Sequence, residues 1–198
     1  MRRWLTCWIA ATAACGGAPP EDFGSGSVAT WTAFGATAGG THYSSATQIT
    51  PENVRWLELA WEHRSGDIRH PRPPGEDGLP MSASGFQATP IVIDDTLYYC
   101  SPFNKVFALD AETGEERWRF DPGIDKDAYL LPNCRGVSSW RSGAAGFCEH
   151  RILLGTLDAR LIALDAATGK RCSDFGNQGE VDVTHQISEH RPVEYSIT

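Results

Sequence analysis

The chain has 198 residues, 41% of them hydrophobic and 21% charged, a balance that argues against long disorder and suits one domain with a sizeable core. Seven Trp and twenty Gly tilt the composition towards β structure with many turns. A formal net charge of −8 excludes nucleic acid as a partner, because phosphate binding draws on a surplus of Lys and Arg that is missing here.

Met1-Arg2-Arg3 and the short apolar stretch from Trp4 to Ala14 have the form of a secretory signal and are too short to span a bilayer, so export is expected. Thr12-Ala13-Ala14-Cys15-Gly16 resembles a bacterial lipoprotein cleavage site, with Thr12 where Leu is usual. Cys15 is the candidate lipidated residue, and ordinary cleavage near Ala14 or Ala18 is the other reading. Residues 1–15 are therefore assigned to the signal. Residues 16–28, rich in Gly, Pro and Ser, are read as a flexible linker, and residues 29–198 as the packed domain.

Within that domain, segment 54–64 reads as a strand with Leu57, Leu59 and Trp61 alternating on one side. The Pro- and Gly-rich stretch 70–85 cannot sustain a helix or a central strand and is expected to be a long loop. Two short apolar runs then flank Asp94-Asp95, the pattern of a hairpin.

An internal repeat follows. Val106-Phe107-Ala108-Leu109-Asp110-Ala111-Glu112-Thr113-Gly114 matches Leu161-Ile162-Ala163-Leu164-Asp165-Ala166-Ala167-Thr168-Gly169 at a constant offset of 55 residues. A period of that size points to a propeller or a solenoid. Each copy reads as an apolar run, a polar turn (101–105, then 156–160), a second apolar run and an Asp-Ala-x-Thr-Gly turn. In that turn the Asp accepts backbone N–H groups and the Gly takes positive φ. An outer strand carrying Trp118 and Phe120 on one face completes the first copy. In the second copy Ser173 stands at the Trp118 position and Phe175 at the Phe120 position.

Six Cys are present. With Cys7 and Cys15 assigned to the signal and its cleavage site, Cys100, Cys134, Cys148 and Cys172 can form two disulfides in three connectivities, and no close pair suggests a zinc knuckle. His42, His63, His150 and His185 show no ligand spacing and are expected at the surface.

The segment from Ala108 to Trp118 is similar to the tryptophan-docking repeat of pyrroloquinoline-quinone (PQQ) propellers. Trp31-Thr32-Ala33-Phe34-Gly35, with Tyr43-Ser44, Gln48-Ile49, Asn53-Val54 and Leu57, resembles the opening of quinoprotein alcohol and glucose dehydrogenases. Ala60-Trp61, Gly66-Asp67 and Cys134-Arg135-Gly136-Val137-Ser138 look closest to the membrane-associated glucose, quinate and polyol branch. The resemblance covers residues 31–198. It implies an all-β fold, a β-propeller of which about three blades of an eight-bladed ring are present. It also implies PQQ on the ring axis with Ca²⁺ or Mg²⁺, a sugar or polyol substrate, membrane quinone or a cytochrome as electron acceptor, and a periplasmic location.

Carried over by position, the resemblance makes Arg135 the best cofactor contact, its planar fork suiting a PQQ carboxylate. Gln87, where relatives have Glu, is a hydrogen-bonding contact without the charge. Thr198 matches a PQQ-contacting Thr, and Arg64 and Asp67 fall in an Arg-x-Gly-Asp segment linked to the cofactor cleft. Leu131 stands where glucose enzymes tend to carry His, which weakens a glucose assignment. Asn133 before Cys134 removes the adjacent Cys pair of the alcohol dehydrogenases. The family's catalytic Asp and ion ligands have no counterpart among these residues, so no catalytic or metal residue is assigned and the chain alone is expected to be inactive. The alternative reading is a non-enzymatic lipoprotein propeller of outer-membrane protein assembly, which shares the repeats and a lipidated Cys.

Overall fold

The computed structural model describes residues 30–37, 39–44, 46–71, 73, 82–143, 145–186 and 196–197. The signal, the linker, Cys15, Thr198 and most of the loop at 72–81 lie outside the described residues. Among the described residues ten short strands carry the fold: β1 Gly85–Phe86, β2 Ile91–Ile93, β3 Thr96–Cys100, β4 Val106–Asp110, β5 Glu116–Phe120, β6 Asn133–Cys134, β7 Ser138–Arg141, β8 His150–Gly155, β9 Arg160–Asp165 and β10 Glu180–Asp182. They form two four-stranded antiparallel meanders, β2-β3-β4-β5 and β7-β8-β9-β10, and a two-stranded parallel pair, β1-β6. These are propeller blades, and the described strands do not close a ring.

The expected hairpin forms where Asp94 and Asp95 both take positive φ, the two-residue turn that suits the right-handed twist of the flanking strands. The two repeat turns are built alike. The Asp110 Oδ1 accepts hydrogen bonds from the Thr113 N–H (2.9 Å) and hydroxyl (3.0 Å), and Asp165 Oδ1 accepts the same pair from Thr168 at 2.9 and 2.7 Å. An N–H from Arg117 also reaches Asp110, which holds that carboxyl well below the usual carboxylate range together with the Thr113 and Glu112 donors.

The period-two alternation of the strands decides which face packs where. Ile91, Ile93, Tyr98, Cys100, Val106 and Ala108 of the first blade meet Val137, Ile152, Leu154, Ile162 and Leu164 of the second in one buried cluster. Each such aliphatic side chain contributes roughly 1.5–3 kcal/mol on burial. The opposite face of the first blade presents Tyr99, Phe107 and Leu109, and Trp61 packs on it.

Glycines register the blades against one another. A Cβ on Gly169 would stand 2.5 Å from the Trp118 ring, and one on Gly114 would stand 2.5 Å from the Trp61 ring. The Trp118 indole N–H also donates to the Ala166 carbonyl at 2.9 Å. Trp61 thus docks on the first blade as Trp118 docks on the second.

Two expectations are corrected. Segment 54–64 is not a paired strand: Val54–Trp56 is a 3-10 turn, and the chain beyond it is extended without a partner strand among the described residues. Leu59 is consequently 82% exposed. The outer strand of the second blade is also displaced from the repeat position to β10. Cys172, at the place of Arg117, is bonded to Cys148, and the chain turns aside through residues 172–179 before Glu180 pairs with Ile162. Phe175 therefore packs with Cys148, Ala163 and Cys172 instead of continuing a strand.

Candidate cofactor wall

The parallel pair β1-β6 joins the segments that lead into the first strand of each blade. Its register sets Gly85 beside Asn133 and Phe86 beside Cys134. Gln87 and Arg135 are the residues that directly follow the two paired strands. The Thr89 N–H donates to the Arg135 carbonyl at 2.9 Å. A Cβ on Gly136 would lie 3.2 Å from the Thr89 carbonyl oxygen, so this close approach of the two segments favours glycine there.

A disulfide fixes the wall from behind. Cys134 is bonded to Cys100 at the end of β3, with 6.0 Å between their Cα atoms, and the other pair is Cys148–Cys172. Of the three possible connectivities this is the sequential one. Cys148, Cys172 and Asp174 cluster closely enough to suggest a metal, but both sulfurs are consumed in the disulfide.

Gln87 and Arg135 are both exposed, and no carboxylate among the described residues pairs with the Arg135 guanidinium. An unpaired planar cation beside an amide is a donor set for carboxylate and carbonyl oxygens. The other two described candidates are separated from this pair and from each other. Arg64 is on the surface, donating to Glu62 at 2.5 Å, with 85% of its side chain exposed. Asp67 is fully buried. Its carboxylate accepts a 2.5 Å hydrogen bond from the Ser101 hydroxyl, pairs with Lys126, and lies 3.7 Å from Lys105, which also reaches Asp121. Burial alone would raise the Asp67 pKa, but the Lys126 and Ser101 donors and the two lysine charges outweigh it and hold the carboxyl below its ordinary value. Asp67 therefore braces the Ser101–Lys105 turn. Leu131, two residues before β6, is exposed.

Two histidines expected at the surface are not there. The His63 ring packs against Tyr99 and Phe107, its Nδ1 sits 2.6 Å from the Tyr99 hydroxyl, and its Nε2 lies 3.6 Å from Glu116. Burial, with the Glu116 and Asp67 charges, pushes the Tyr99 pKa up to about 12. The signal for His63 was available: it stands two residues after Trp61, on the same side of an extended chain. His150 gave no such signal, and its Nε2 is buried without a hydrogen-bond partner.

Residues 31–198 match the model of the PQQ glucose/ethanol/alcohol dehydrogenase β-propeller domain. The chain is 35% identical to quinoprotein glucose dehydrogenase of Escherichia coli (strain K12) over 176 residues, covering 85% of this chain and 21% of that protein. It is 36% identical to the glycerol dehydrogenase large subunit of Gluconobacter oxydans (strain 621H) over 185 residues, covering 90% of this chain and 24% of that protein. Among solved structures it resembles the quinohemoprotein alcohol dehydrogenase from Comamonas testosteroni, with a TM-score of 0.59 and 28% identity over 79% of this chain and 20% of that one. The chain thus spans about a fifth to a quarter of the length of these relatives. The matches favour the dehydrogenase propeller over the assembly-scaffold alternative. The chain belongs to the PQQ-dependent glucose/ethanol/alcohol dehydrogenase β-propeller family.

Proposed function

We propose that this chain forms a cofactor-facing wall of a periplasmic PQQ-dependent dehydrogenase that oxidises a sugar or polyol and passes electrons to membrane quinone or a cytochrome, with Cys15 as a lipid anchor. The observation that carries the reading is Arg135, exposed directly after β6 with its guanidinium free of any described carboxylate, while Gln87 is exposed directly after the paired strand β1.

The donor set fits the cofactor. PQQ is a multiply carboxylated o-quinone, and when bound it supplies the acceptor for the two electrons taken from the alcohol carbon. Arg135 would hold a carboxylate in a charge-assisted fork, and the Gln87 amide would donate to a neighbouring oxygen without adding negative charge. The Cys100–Cys134 bond ties the Arg135 segment to the end of β3. The described residues offer no carboxylate set for Ca²⁺ or Mg²⁺, so no step is derived through the ion and its ligands are assigned elsewhere in the protein.

The test is a PQQ titration of the full chain with and without Ca²⁺, followed by Trp fluorescence, alongside dye reduction with glucose, glycerol and other polyols. A charge-assisted hydrogen bond of about 1.5–3 kcal/mol predicts that Arg135→Ala weakens PQQ binding by roughly tenfold or more. Arg64→Ala, already paired with Glu62 on the surface, should leave it within about twofold. Absence of saturable PQQ binding, or binding indifferent to Arg135→Ala, would overturn the reading.

A further inference from the structure

Tyr98 and Tyr99 are neighbours in β3 and pack on opposite faces of the first blade, and their hydroxyls meet different partners. The Tyr98 hydroxyl donates to the Ala166 carbonyl at 3.2 Å, which satisfies a buried phenol and can do no more. The Tyr99 hydroxyl lies 2.6 Å from His63 Nδ1, on a ring that can take a proton. The other ring nitrogen, Nε2, lies 3.6 Å from one oxygen of Glu116, whose second oxygen meets Arg119. A carboxylate on that side favours the tautomer with its hydrogen on Nε2, so Nδ1 is the acceptor and Tyr99 donates to it. A phenol, a base and a carboxylate that orients the base thus stand in line.

Ordinary acid–base or nucleophilic work is closed to this group. Tyr99 is 6% exposed, with its ring stacked on Phe107 and flanked by His63 and Phe86, so a substrate does not reach its hydroxyl. An electron needs no such contact. The ring centroid of Phe86 is 5.7 Å from that of Tyr99, and Phe86 is 59% exposed, so one aromatic side chain links Tyr99 to the surface.

Removal of an electron makes a phenol strongly acidic, and unless its proton leaves, a positive charge stays on a buried ring at high cost. Here the proton has a receiver at Nδ1, and the Glu116 carboxylate faces the imidazolium that would form, an opposite charge at short range. Until then the hydroxyl keeps its proton, because burial and the Glu116 and Asp67 charges push the Tyr99 pKa up to about 12.

We propose that Tyr99, His63 and Glu116 form a redox-active tyrosine site that gives an electron to a one-electron oxidant at the surface beside Phe86, such as an oxygen-centred or organic radical. The Tyr99 O–H bond breaks as an N–H bond forms at His63 Nδ1, the oxidant is reduced by the electron that leaves the ring, and a neutral phenoxyl radical remains beside an imidazolium. A one-electron reductant reverses the step, and the proton returns to Tyr99. The site requires no PQQ and does not rest on the dehydrogenase reading.

The experiment oxidises the full chain without PQQ, using ruthenium(III) tris-bipyridine generated by a light flash. Radicals are followed by transient absorption and by electron paramagnetic resonance of freeze-trapped samples. A phenoxyl radical is expected whose rate of formation does not change with the concentration of buffer base, because its base is built in. An exposed phenol such as Tyr43 gives its proton to the buffer and follows that concentration. Tyr99→Phe should remove the buffer-independent radical, and Tyr98→Phe should leave it. His63→Leu should slow its formation by about tenfold or more. Glu116→Gln, at an exposed position that leaves the packing untouched, should slow it by about threefold or more. Circular dichroism confirms that each variant is folded. The proposal is overturned if the wild-type chain gives no buffer-independent phenoxyl radical, if that radical persists in folded Tyr99→Phe, if it is lost in folded Tyr98→Phe, or if Glu116→Gln and folded His63→Leu leave its rate unchanged.

Discussion

Replacing Cys100 and Cys134 together by Ala cuts the covalent tie between the end of β3 and β6. The 34-residue separation corresponds to about 3.8 kcal/mol of loop-closure entropy restored to the unfolded chain. The double Ala variant at Cys148 and Cys172, 24 residues apart, corresponds to about 3.5 kcal/mol. Domains commonly hold about 5–15 kcal/mol, so both variants are expected to keep a folded majority without denaturant. Their urea midpoints should fall by similar amounts, which makes each the control for the other. The two bonds differ in location. Cys134 is the register partner of Phe86 and precedes Arg135, whereas Cys148–Cys172 fixes the outer loop of the second blade. PQQ affinity should therefore drop about tenfold in the first variant, an orientation loss of about 1.4 kcal/mol at Arg135, and stay near wild type in the second. Urea unfolding by circular dichroism and PQQ titration of the same preparations check both halves. Equal PQQ affinity in the two variants, at equal loss of stability, would refute the idea that the first disulfide positions the wall.

Three further perturbations test the packing beneath the site. Gly169→Ala and Gly143→Ala both force Ala into positive φ, at about 1–2 kcal/mol each, but only the first sets a Cβ 2.5 Å from Trp118 while the second meets open space, so the excess loss at Gly169 on thermal unfolding measures blade docking. Asp67→Asn leaves Lys126 facing a neutral group and should cost about 3–5 kcal/mol. Because the Asp67 pKa is lowered in the fold, its stabilisation is present above the ordinary value of 3.8 and is lost as pH falls through the folded value, so the acid limb of a urea-midpoint profile should flatten in the variant. The His150 pKa is also lowered, so the corresponding stability is present above 6.5 and is lost as pH falls below it; His150→Gln should remove that slope from the same profile.

The parts of this fold that were legible in sequence are those fixed by local chemistry. The Asp-Ala-x-Thr-Gly turns depend only on an Asp that caps backbone N–H groups and a Gly at positive φ, and both copies adopt the expected hydrogen bonds. The alternation of Trp118 and Phe120 likewise follows from period two, and both pack towards the second blade. Where the reading failed, a distant partner decided. Leu57 and Leu59 alternate as a strand should, yet a strand is defined by its neighbours and this segment has none among the described residues. Cys172 occupies an outer-strand position by alignment, but its bond to Cys148 pulls the chain aside and delays the strand to Glu180.

The candidate wall shows the same division more sharply. Gln87 and Arg135 are 48 residues apart, not 55, so the repeat alignment does not relate them. The structure shows why. In the first blade a two-residue turn, Asp94-Asp95, joins the first two strands, whereas in the second blade residues 142–149 do so, with Cys148 anchoring the longer connection. Before that extra length, β2 and β7 keep a spacing set by their own entry segments, and those segments are held together by β1-β6. The pairings Ile91 with Tyr98 and Ser138 with Leu153 make Ile91 and Ser138 equivalent, so Ala88 holds in the first blade the position that Arg135 holds in the second, and Gln87 stands one residue before it. Gln87, exposed directly after β1, should also contribute to PQQ binding, with a smaller loss in Gln87→Ala than in Arg135→Ala because a neutral amide bond is worth about 0.5–1.5 kcal/mol against about 1.5–3 for a charged one. A loss at Gln87 equal to or exceeding that at Arg135 in the PQQ titration would show that shape, not charge, governs the wall.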